Sequence, residues 1–133
     1  MLNTKKLLTK MLTKDKLIFS ANSPSMANSP QLTAPITDFD VLDVYLVDND
    51  GNFGFVSVLT SFTSFIATIT KGSGGNNEVY IKSALYIIDT DTNTLTCNTG
   101  RRIQGYFSAN SQSVANTACI AIKAVVGRKL GGG

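Results

Sequence analysis

The residues of this chain best suited to chemistry are carboxylates, and most of them lie in turn-like clusters. Two such clusters are Asp48-Asn49-Asp50-Gly51 and Asp89-Thr90-Asp91-Thr92-Asn93. Carboxylate pairs can act as general acid and base, or they can bind Ca²⁺. The first cluster would place Leu46 at the first ligand position and Ser57 at the closing position of a calcium loop, so it does not fit an EF-hand. Asx-turn hydrogen bonding accounts for these residues without a metal.

A wider calcium site would require strands to bring distant carboxylates together, and the residues concerned are Asp38, Asp40, Asp43, Asp89 and Asp91. Nothing in their spacing requires such a meeting. Solvated carboxylates in turns and on edge strands are the simpler interpretation, because charge on an exposed edge also discourages unwanted strand pairing. We therefore expect no metal and no cofactor.

Other catalytic groups are missing or isolated. The chain has no histidine, which excludes Ser-His-Asp and Cys-His mechanisms in their usual form. Its two cysteines, Cys97 and Cys119, cannot complete a tetrahedral zinc site without histidine. Both lie in strand-like runs, so we predict free, buried thiols, although a disulfide is possible. The glycine-rich stretch 72–75 lacks the Gly-Lys-Ser/Thr of a phosphate-binding loop. We predict that the protein is not an enzyme.

Two further groups of residues could contact a ligand. Arg101-Arg102 follows a glycine and could bind a sulfated or phosphorylated glycan, but a surface pair that balances the acidic turns is the favoured interpretation. The four tyrosines alternate with predicted core positions. Exposed tyrosines could stack on sugar rings or pack against a neighbouring subunit. They are Tyr45, Tyr80, Tyr86 and Tyr106.

The charge of the chain is distributed unevenly. The 133 residues carry 12 basic and 9 acidic side chains, a net charge of +3. Five lysines against Asp15 give +4 in residues 1–16, and the remaining seven basic and eight acidic residues sum to −1. A nearly neutral domain has no long-range field to gather phosphates, so we predict no nucleic-acid binding.

The basic N-terminal segment, residues 1–19, is predicted to form a short amphipathic helix. Leu7, Leu8, Met11 and Leu12 fall in one arc of a helical projection, opposite the lysines. So short a helix needs a partner in water. The partner could be its own copies in a trimeric or dimeric bundle, the β domain, a larger assembly or a membrane surface. Residues 1–16 contain no aromatic residue, which disfavours the membrane, and the charges of the segment interrupt any signal-peptide h-region.

The rest of the chain is predicted to be mainly β. All three prolines lie in residues 20–37, which we interpret as an extended linker. Residues 38–130 contain about seven strand-like runs separated by turn signals, which predicts an antiparallel β-sandwich or jelly roll preceded by the N-terminal helix. Residues 71–77 read as a loop and 98–100 as a turn. Residues 79–88 read as one long strand with an apolar face, and 131–133 are a glycine tail. That face consists of Val79, Ile81, Leu85 and Ile87.

Four stretches carry a resemblance to a known class of proteins. They are Asn3-Thr4-Lys5-Lys6-Leu7-Leu8, residues 36–42, the strand 80–88, and Ala124-Val125-Val126-Gly127-Arg128-Lys129-Leu130. In these the chain resembles small virion proteins of tailed bacteriophages, of the tail-fibre or head-fibre type. The resemblance implies a trimerising helix, a β-sandwich, a homotrimer and a location in the virion after synthesis in the host cytoplasm. It also implies contacts with other virion proteins and with a host surface glycan or protein.

These observations lead to one expectation and one alternative. We expect a non-enzymatic virion structural protein of fibre or decoration type, docked through Leu7, Leu8, Met11 and Leu12. If it is a fibre tip, its exposed loops would bind the receptor. The alternative is a stand-alone carbohydrate-binding β-sandwich module, for which a monomer that binds glycan would be the discriminating result. The residues expected to bind a receptor are Lys71, Asn76, Asn77, Asp89 and Asp91.

Overall fold

Eight strands and one short 3-10 helix build the described part of the fold. A computed structural model describes residues 15–73, 78–109 and 111–130. The 3-10 helix spans Ile36–Asp38. The strands are β1 Lys16–Ser20, β2 Val41–Asp48, β3 Phe53–Leu59, β4 Ser64–Ser73, β5 Glu78–Asp89, β6 Thr94–Phe107, β7 Gln112–Ala115 and β8 Ile120–Arg128. The prediction of a mainly β protein is confirmed. No helix in the described part of the chain has the length and apolar character needed to cross a membrane.

The strands form two four-stranded sheets. Sheet A has the order β1-β8-β2-β3, and sheet B has the order β4-β5-β6-β7. Every strand pair is antiparallel. In sheet B the order in space follows the order in the chain, whereas sheet A brings the first and last strands side by side. Few residues separate consecutive strands in sheet B, whereas the longer connection 21–40 joins β1 to β2.

Alternation along β2 sets the inner face of sheet A. Leu42, Val44 and Leu46 are fully buried, as their spacing in the sequence predicts. The predicted hairpin that follows is also confirmed, because β2 pairs with β3 around the turn at 49–52. Gly51 in that turn has a φ of +83°, a conformation that glycine adopts without a steric penalty.

Buried side chains from both sheets belong to one hydrophobic cluster. Leu46 and Ile122 of sheet A share it with Phe65 and Tyr86 of sheet B, and full burial of such a side chain stabilises the fold by about 1.5–3 kcal/mol. Gly54 in β3 marks a close approach between the sheets. A Cβ atom there would lie 2.6 Å from the Ile69 side chain of β4, so only glycine leaves room for Ile69.

The long strand β5 is confirmed, but its apolar face points outward. Val79 and Ile87 are 49% and 37% exposed, whereas Lys82, Ala84 and Tyr86 on the opposite face are buried. The prediction that the tyrosines alternate with core positions is therefore wrong for β5. Tyr86 stacks on Phe65 at 5.5 Å between ring centroids, and the charge of Lys82 is met by carboxylates of the β2–β3 turn.

The described start of the chain is a strand. Residues 1–14 of the predicted helix, with Leu7, Leu8, Met11 and Leu12, lie outside the described residues. Residues 16–19, which we assigned to the same helical segment, belong to β1 and pair with β8. The reason is visible at Ile18, which is completely buried in the core and could not be so if the segment left the sheet as a helix.

The segment 20–37, predicted as a linker, is packed into the folded body. Leu32, Ala34 and Ile36 are buried. Its polar side chains replace ladder hydrogen bonds: the Asn28 amide both donates to the carbonyl of Ile122 and accepts from its N–H, at 2.9 and 2.8 Å. The Ser29 hydroxyl accepts the N–H of Cys97. The prolines keep the segment out of a sheet without loosening it.

The predicted turn at 98–100 is wrong, because β6 continues through it. Ala84 of β5 pairs with Arg102 and Tyr86 pairs with Cys97, so residues 98–101 bulge opposite a single residue. The side-chain Oδ1 of Asn98 accepts the N–H of Gly100, a hydrogen bond that turns and bulges share. Cys97 and Cys119 are buried and free, as expected. Burial raises the pKa of both thiols.

Candidate functional surfaces

Lys82 gathers the first acidic cluster into a structural joint. Its ammonium group donates to Asp50 at 2.6 Å, to the Asn49 side chain at 2.7 Å and to Asp48 at 3.2 Å. The Lys82 and Asp48 side chains are only 2% and 1% exposed. Burial by itself lowers the pKa of Lys82, but its bonds to Asp50 and Asp48 outweigh this and raise it. The cluster therefore anchors the β2–β3 turn to sheet B.

The Asp48 carboxylate also closes its own turn. It accepts the N–H groups of Asp50 and Asn52 at 2.9 and 2.8 Å, and the Asn52 amide at 3.0 Å. This is the predicted Asx turn. Burial raises the pKa of Asp48, yet the hydrogen bonds from Asn52, Asp50 and Lys82 together hold it below its usual range. The Asp48 carboxylate therefore stabilises the fold, because its oxygen atoms accept hydrogen bonds from the turn and from Lys82.

The distant carboxylates considered for calcium have other partners. Asp43 pairs with Arg128 at 2.6 Å and accepts the Ser57 hydroxyl at 2.8 Å. Asp40 accepts the N–H of Leu130. Within 15–73, 78–109 and 111–130, no three carboxylate, cysteine or histidine side chains come close enough to hold a metal ion.

The residues predicted to bind a receptor do not form one site. Lys71 lies in β4 and not in a loop, with its ammonium 5.8 Å from the centre of the Tyr80 ring. Lys71 pairs with Tyr80, and Asp89 lies nine residues farther along β5, about 30 Å away, with Asp91 just beyond it. Asp89 accepts the N–H groups of Asp91 and Thr92, which lower its pKa. Asn76 and Asn77 lie outside the described residues.

The tyrosines divide into buried and accessible groups. Tyr86 is fully buried, and Tyr45 is 44% exposed. Tyr80 and Tyr106 pack edge to face with ring centroids 4.6 Å apart, and Gln104 donates to the Tyr106 hydroxyl. The accessible Tyr45 lies on the outer face of sheet A.

Tyr45 belongs to an aromatic group that the sequence analysis did not identify. Phe53 is 73% exposed and Phe55 is 54% exposed. The hairpin register pairs Tyr45 with Phe55 and Val47 with Phe53, so all three rings project from the same face. The Tyr45 and Phe55 ring centroids lie 5.2 Å apart. The signal in the sequence was the pattern Phe53-Gly54-Phe55, in which the residue that faces the core is the small one.

A cleft of about 320 Å³ opens beside these rings. It lies between the end of β1, the strand β8 and the β2–β3 hairpin. Lys123 braces one side, because its ammonium donates to the carbonyls of Asn22 at 2.9 Å and Ala21 at 3.4 Å. The cleft is lined by Ser20, Ala21, Asn22, Tyr45, Leu46, Phe53, Gly54, Lys123 and Ala124. It will be called the aromatic cleft.

The outer face of sheet B is a second unusual surface. It exposes aliphatic side chains from all four strands, and the register places them on the same side of the sheet. Among the described residues that the register assigns to this face, Asp89 at the end of β5 is charged; serine, threonine and glycine fill most of the other spaces. The exposed members are Ile66 at 62%, Val79 at 49%, Ile87 at 37%, Ile103 at 45% and Val114 at 58%. This surface will be called the apolar face.

Comparison with known proteins found no relative. No protein-family model, no curated protein and no solved structure matches this chain.

Proposed function

We propose that this protein is a non-enzymatic structural subunit of a bacteriophage virion, of fibre or decoration type. In this proposal it is a β-sandwich whose copies associate through the apolar face. The observation that carries the proposal is the apolar face itself, since a soluble monomer rarely exposes so many aliphatic side chains on one face of a sheet without using them. The virion assignment draws on the resemblance described above.

The sandwich is supported by contacts that cross between the sheets. The shared hydrophobic cluster, the contact of Ile69 with Gly54 and the ion pair of Lys82 with Asp48 each join sheet A to sheet B. Two antiparallel sheets that share one core are the usual arrangement of a β-sandwich.

The size of the apolar face suits a subunit interface. Its three long strands contain 10, 12 and 14 residues. Three strands of about ten residues cover a flat footprint of about 500 Å². Protruding side chains increase the accessible area, so the face is of the same order as the ~800 Å² that each partner contributes to a stable interface.

A second copy of this chain is the partner that fits best. Two identical faces whose charge is confined to Asp89, at the end of β5, meet without like-charge repulsion at their centres, and the threonine and serine hydroxyls can pair across the contact. A partner with charged groups would instead have to remove them from water without finding opposite charges here. The trimer that the resemblance implies would direct the apolar faces towards a common axis. The segment that precedes β1, with Leu7, Leu8, Met11 and Leu12, would then dock the assembly on other virion proteins.

Light scattering and native mass spectrometry of the full chain test this self-association. We expect a homo-oligomer, with the trimer as the specific expectation. Ile66→Asp should dissociate it to monomers without changing the circular dichroism of the sheet. Leu130→Asp is the matched control, because Leu130 is 53% exposed but lies outside the apolar face. A full chain that stays monomeric at all accessible concentrations would contradict the proposal.

Two further measurements separate the parts of the proposal. Leu8→Asp tests the N-terminal segment; if it dissociates the oligomer and Ile66→Asp does not, the interface lies in that segment and not in the apolar face. Mass spectrometry of purified particles of the phage that encodes the chain tests the virion assignment. Absence of the protein from such particles would overturn that assignment whatever the oligomeric state.

A further inference from the structure

We propose that the aromatic cleft binds one pyranose ring of a neutral glycan, stacked on Phe53 and Tyr45. The cleft lies on the outer face of sheet A, so it is open in a monomer and in an oligomer that associates through sheet B.

The rings provide an apolar platform that is already in position. Phe53 is 73% exposed, so covering it with a ligand removes a large apolar surface from water. Tyr45 is held by the Phe55 ring at 5.2 Å, and its backbone lies in the paired strand β2. A ligand therefore does not need to order the Tyr45 side chain, which lowers the entropic cost of binding.

The edge of the platform is polar but carries little free charge. Ser20 and Asn22 line the cleft on the β1 side. Lys123 is the only charged residue of the lining, and two of its three donor positions are taken by the carbonyls of Ala21 and Asn22. An anionic ligand could use only the one remaining donor position of Lys123. A hydroxylated neutral ligand could use that donor together with the polar groups of Ser20 and Asn22.

Shape and size narrow the ligand further. A pyranose presents a face of C–H groups and a rim of hydroxyls, which matches a ring platform with a polar edge. The volume of about 320 Å³ lies at the lower end of the range for small-molecule sites. It suits a sugar residue and is too small for a folded partner or an amphipathic helix.

The test is a ¹⁵N–¹H NMR titration of the full chain with four neutral probes: the methyl glycosides of glucose, galactose, mannose and N-acetylglucosamine. We expect at least one probe to bind and to shift the amides around Tyr45, Phe53 and Ala124. Phe53→Ala should weaken that binding about tenfold, the factor that corresponds to loss of one ring contact. Phe53→Tyr, which keeps the ring, should bind like the native chain.

Phe62→Ala is the matched control, since Phe62 is 55% exposed but lies on the β3–β4 connection, away from the cleft. It should leave binding unchanged. Equal losses in the Phe53→Ala and Phe62→Ala variants would overturn the proposal, as would amide shifts confined to other surfaces. Failure of all four probes to bind the native chain would also overturn it. Asn22→Ala, at the exposed rim, provides a second variant that is expected to weaken binding with the fold intact.

Discussion

The ammonium group of Lys82 in sheet B lies 3.2 Å from the carboxylate of Asp48 in sheet A, and both side chains are almost completely buried. Removing two charges from water is costly, and close pairing alone often fails to offset that cost. Here Asn49, Asp50 and Asn52 supply additional hydrogen bonds to the pair. The result is a polar joint between the two sheets at the end of the hydrophobic core.

Replacement of Lys82 by methionine should destabilise the fold. The change leaves the Asp48 carboxylate buried without its cation, which costs about 3 kcal/mol in comparable cases. Urea unfolding followed by circular dichroism measures the loss. Lys71→Met is the control, because Lys71 is exposed near Tyr80 and should change stability by less than about 0.5 kcal/mol. Equal stability of the Lys82→Met variant and the native chain would contradict the buried joint.

Acid should weaken the fold through Asp48. Its pKa is lowered from 3.8 in the folded chain. The carboxylate therefore stabilises the native state fully above the unfolded value of 3.8, and that contribution is lost as the pH falls through the lower folded value. Urea midpoints measured from pH 7 to acid should show the decline. Asp48→Asn should flatten this part of the profile, and Asp91→Asn, in an exposed turn, should not.

High pH should also weaken the fold, in this case through Lys82. Its pKa is raised above 10.5 in the folded chain, so its contribution is complete below 10.5 and is lost as the pH rises through the folded value. Unfolding midpoints between pH 9 and 12 should fall in the native chain. In Lys82→Met the same limb should be flatter, although the variant is less stable at every pH.

Asn93 should stabilise the fold through both its backbone conformation and its side-chain hydrogen bonds. Its φ is 57°, and its amide accepts the N–H of Ile36 and donates to the carbonyls of Leu32 and Ala34. Asn93→Gly keeps the backbone conformation but loses three hydrogen bonds, at about 2–3 kcal/mol. Asn93→Ala adds about 1 kcal/mol of left-handed strain. In urea unfolding the native chain should be the most stable, Asn93→Gly the next and Asn93→Ala the least stable. Equal stability of the three would contradict a stabilising role for these Asn93 hydrogen bonds.

Tyr86→Phe should stabilise the chain by about 1 kcal/mol, since a buried hydroxyl without a partner costs free energy. Among the described residues the Tyr86 hydroxyl has no nitrogen or oxygen partner and only the weakly hydrogen-bonding thiol of Cys97 nearby, and burial raises its pKa. Thermal unfolding of Tyr86→Phe measures the gain. Tyr45→Phe, on the exposed face, should leave the midpoint unchanged. A clear loss of stability in Tyr86→Phe would mean that its hydroxyl is hydrogen-bonded.

The parts of the fold that depend on neighbouring residues could be predicted from the sequence. Asp48-Asn49-Asp50-Gly51 forms the predicted hairpin turn, and the Asp89 carboxylate closes the predicted turn at 89–93. Both use hydrogen bonds within a few residues. The same local chemistry misled at 98–100, because an Asx hydrogen bond looks the same in a bulge as in a turn.

The parts that depend on distant partners could not be predicted. Alternation along the sequence predicts two faces of β5 but not which of them is buried. The row of apolar residues from Val79 to Ile87 suggested the face that is in fact turned outward. What decides the choice is the contact of Lys82 with a turn 34 residues away. The same holds for the aromatic cleft, because Asn22, Tyr45 and Lys123 meet only when β1 and β2 flank β8.

The pairing of β1 with β8 has a consequence for biosynthesis. Lys16 pairs with Gly127, so β1 cannot dock until the residues of β8 have been synthesised. Sheet A cannot close on the ribosome until β8 has emerged, and contacts so far apart in sequence make folding slow. In sheet B every strand pairs with the strand before or after it in the chain, so this sheet can form earlier. Its apolar face is then accessible to other copies of the chain on the same polysome.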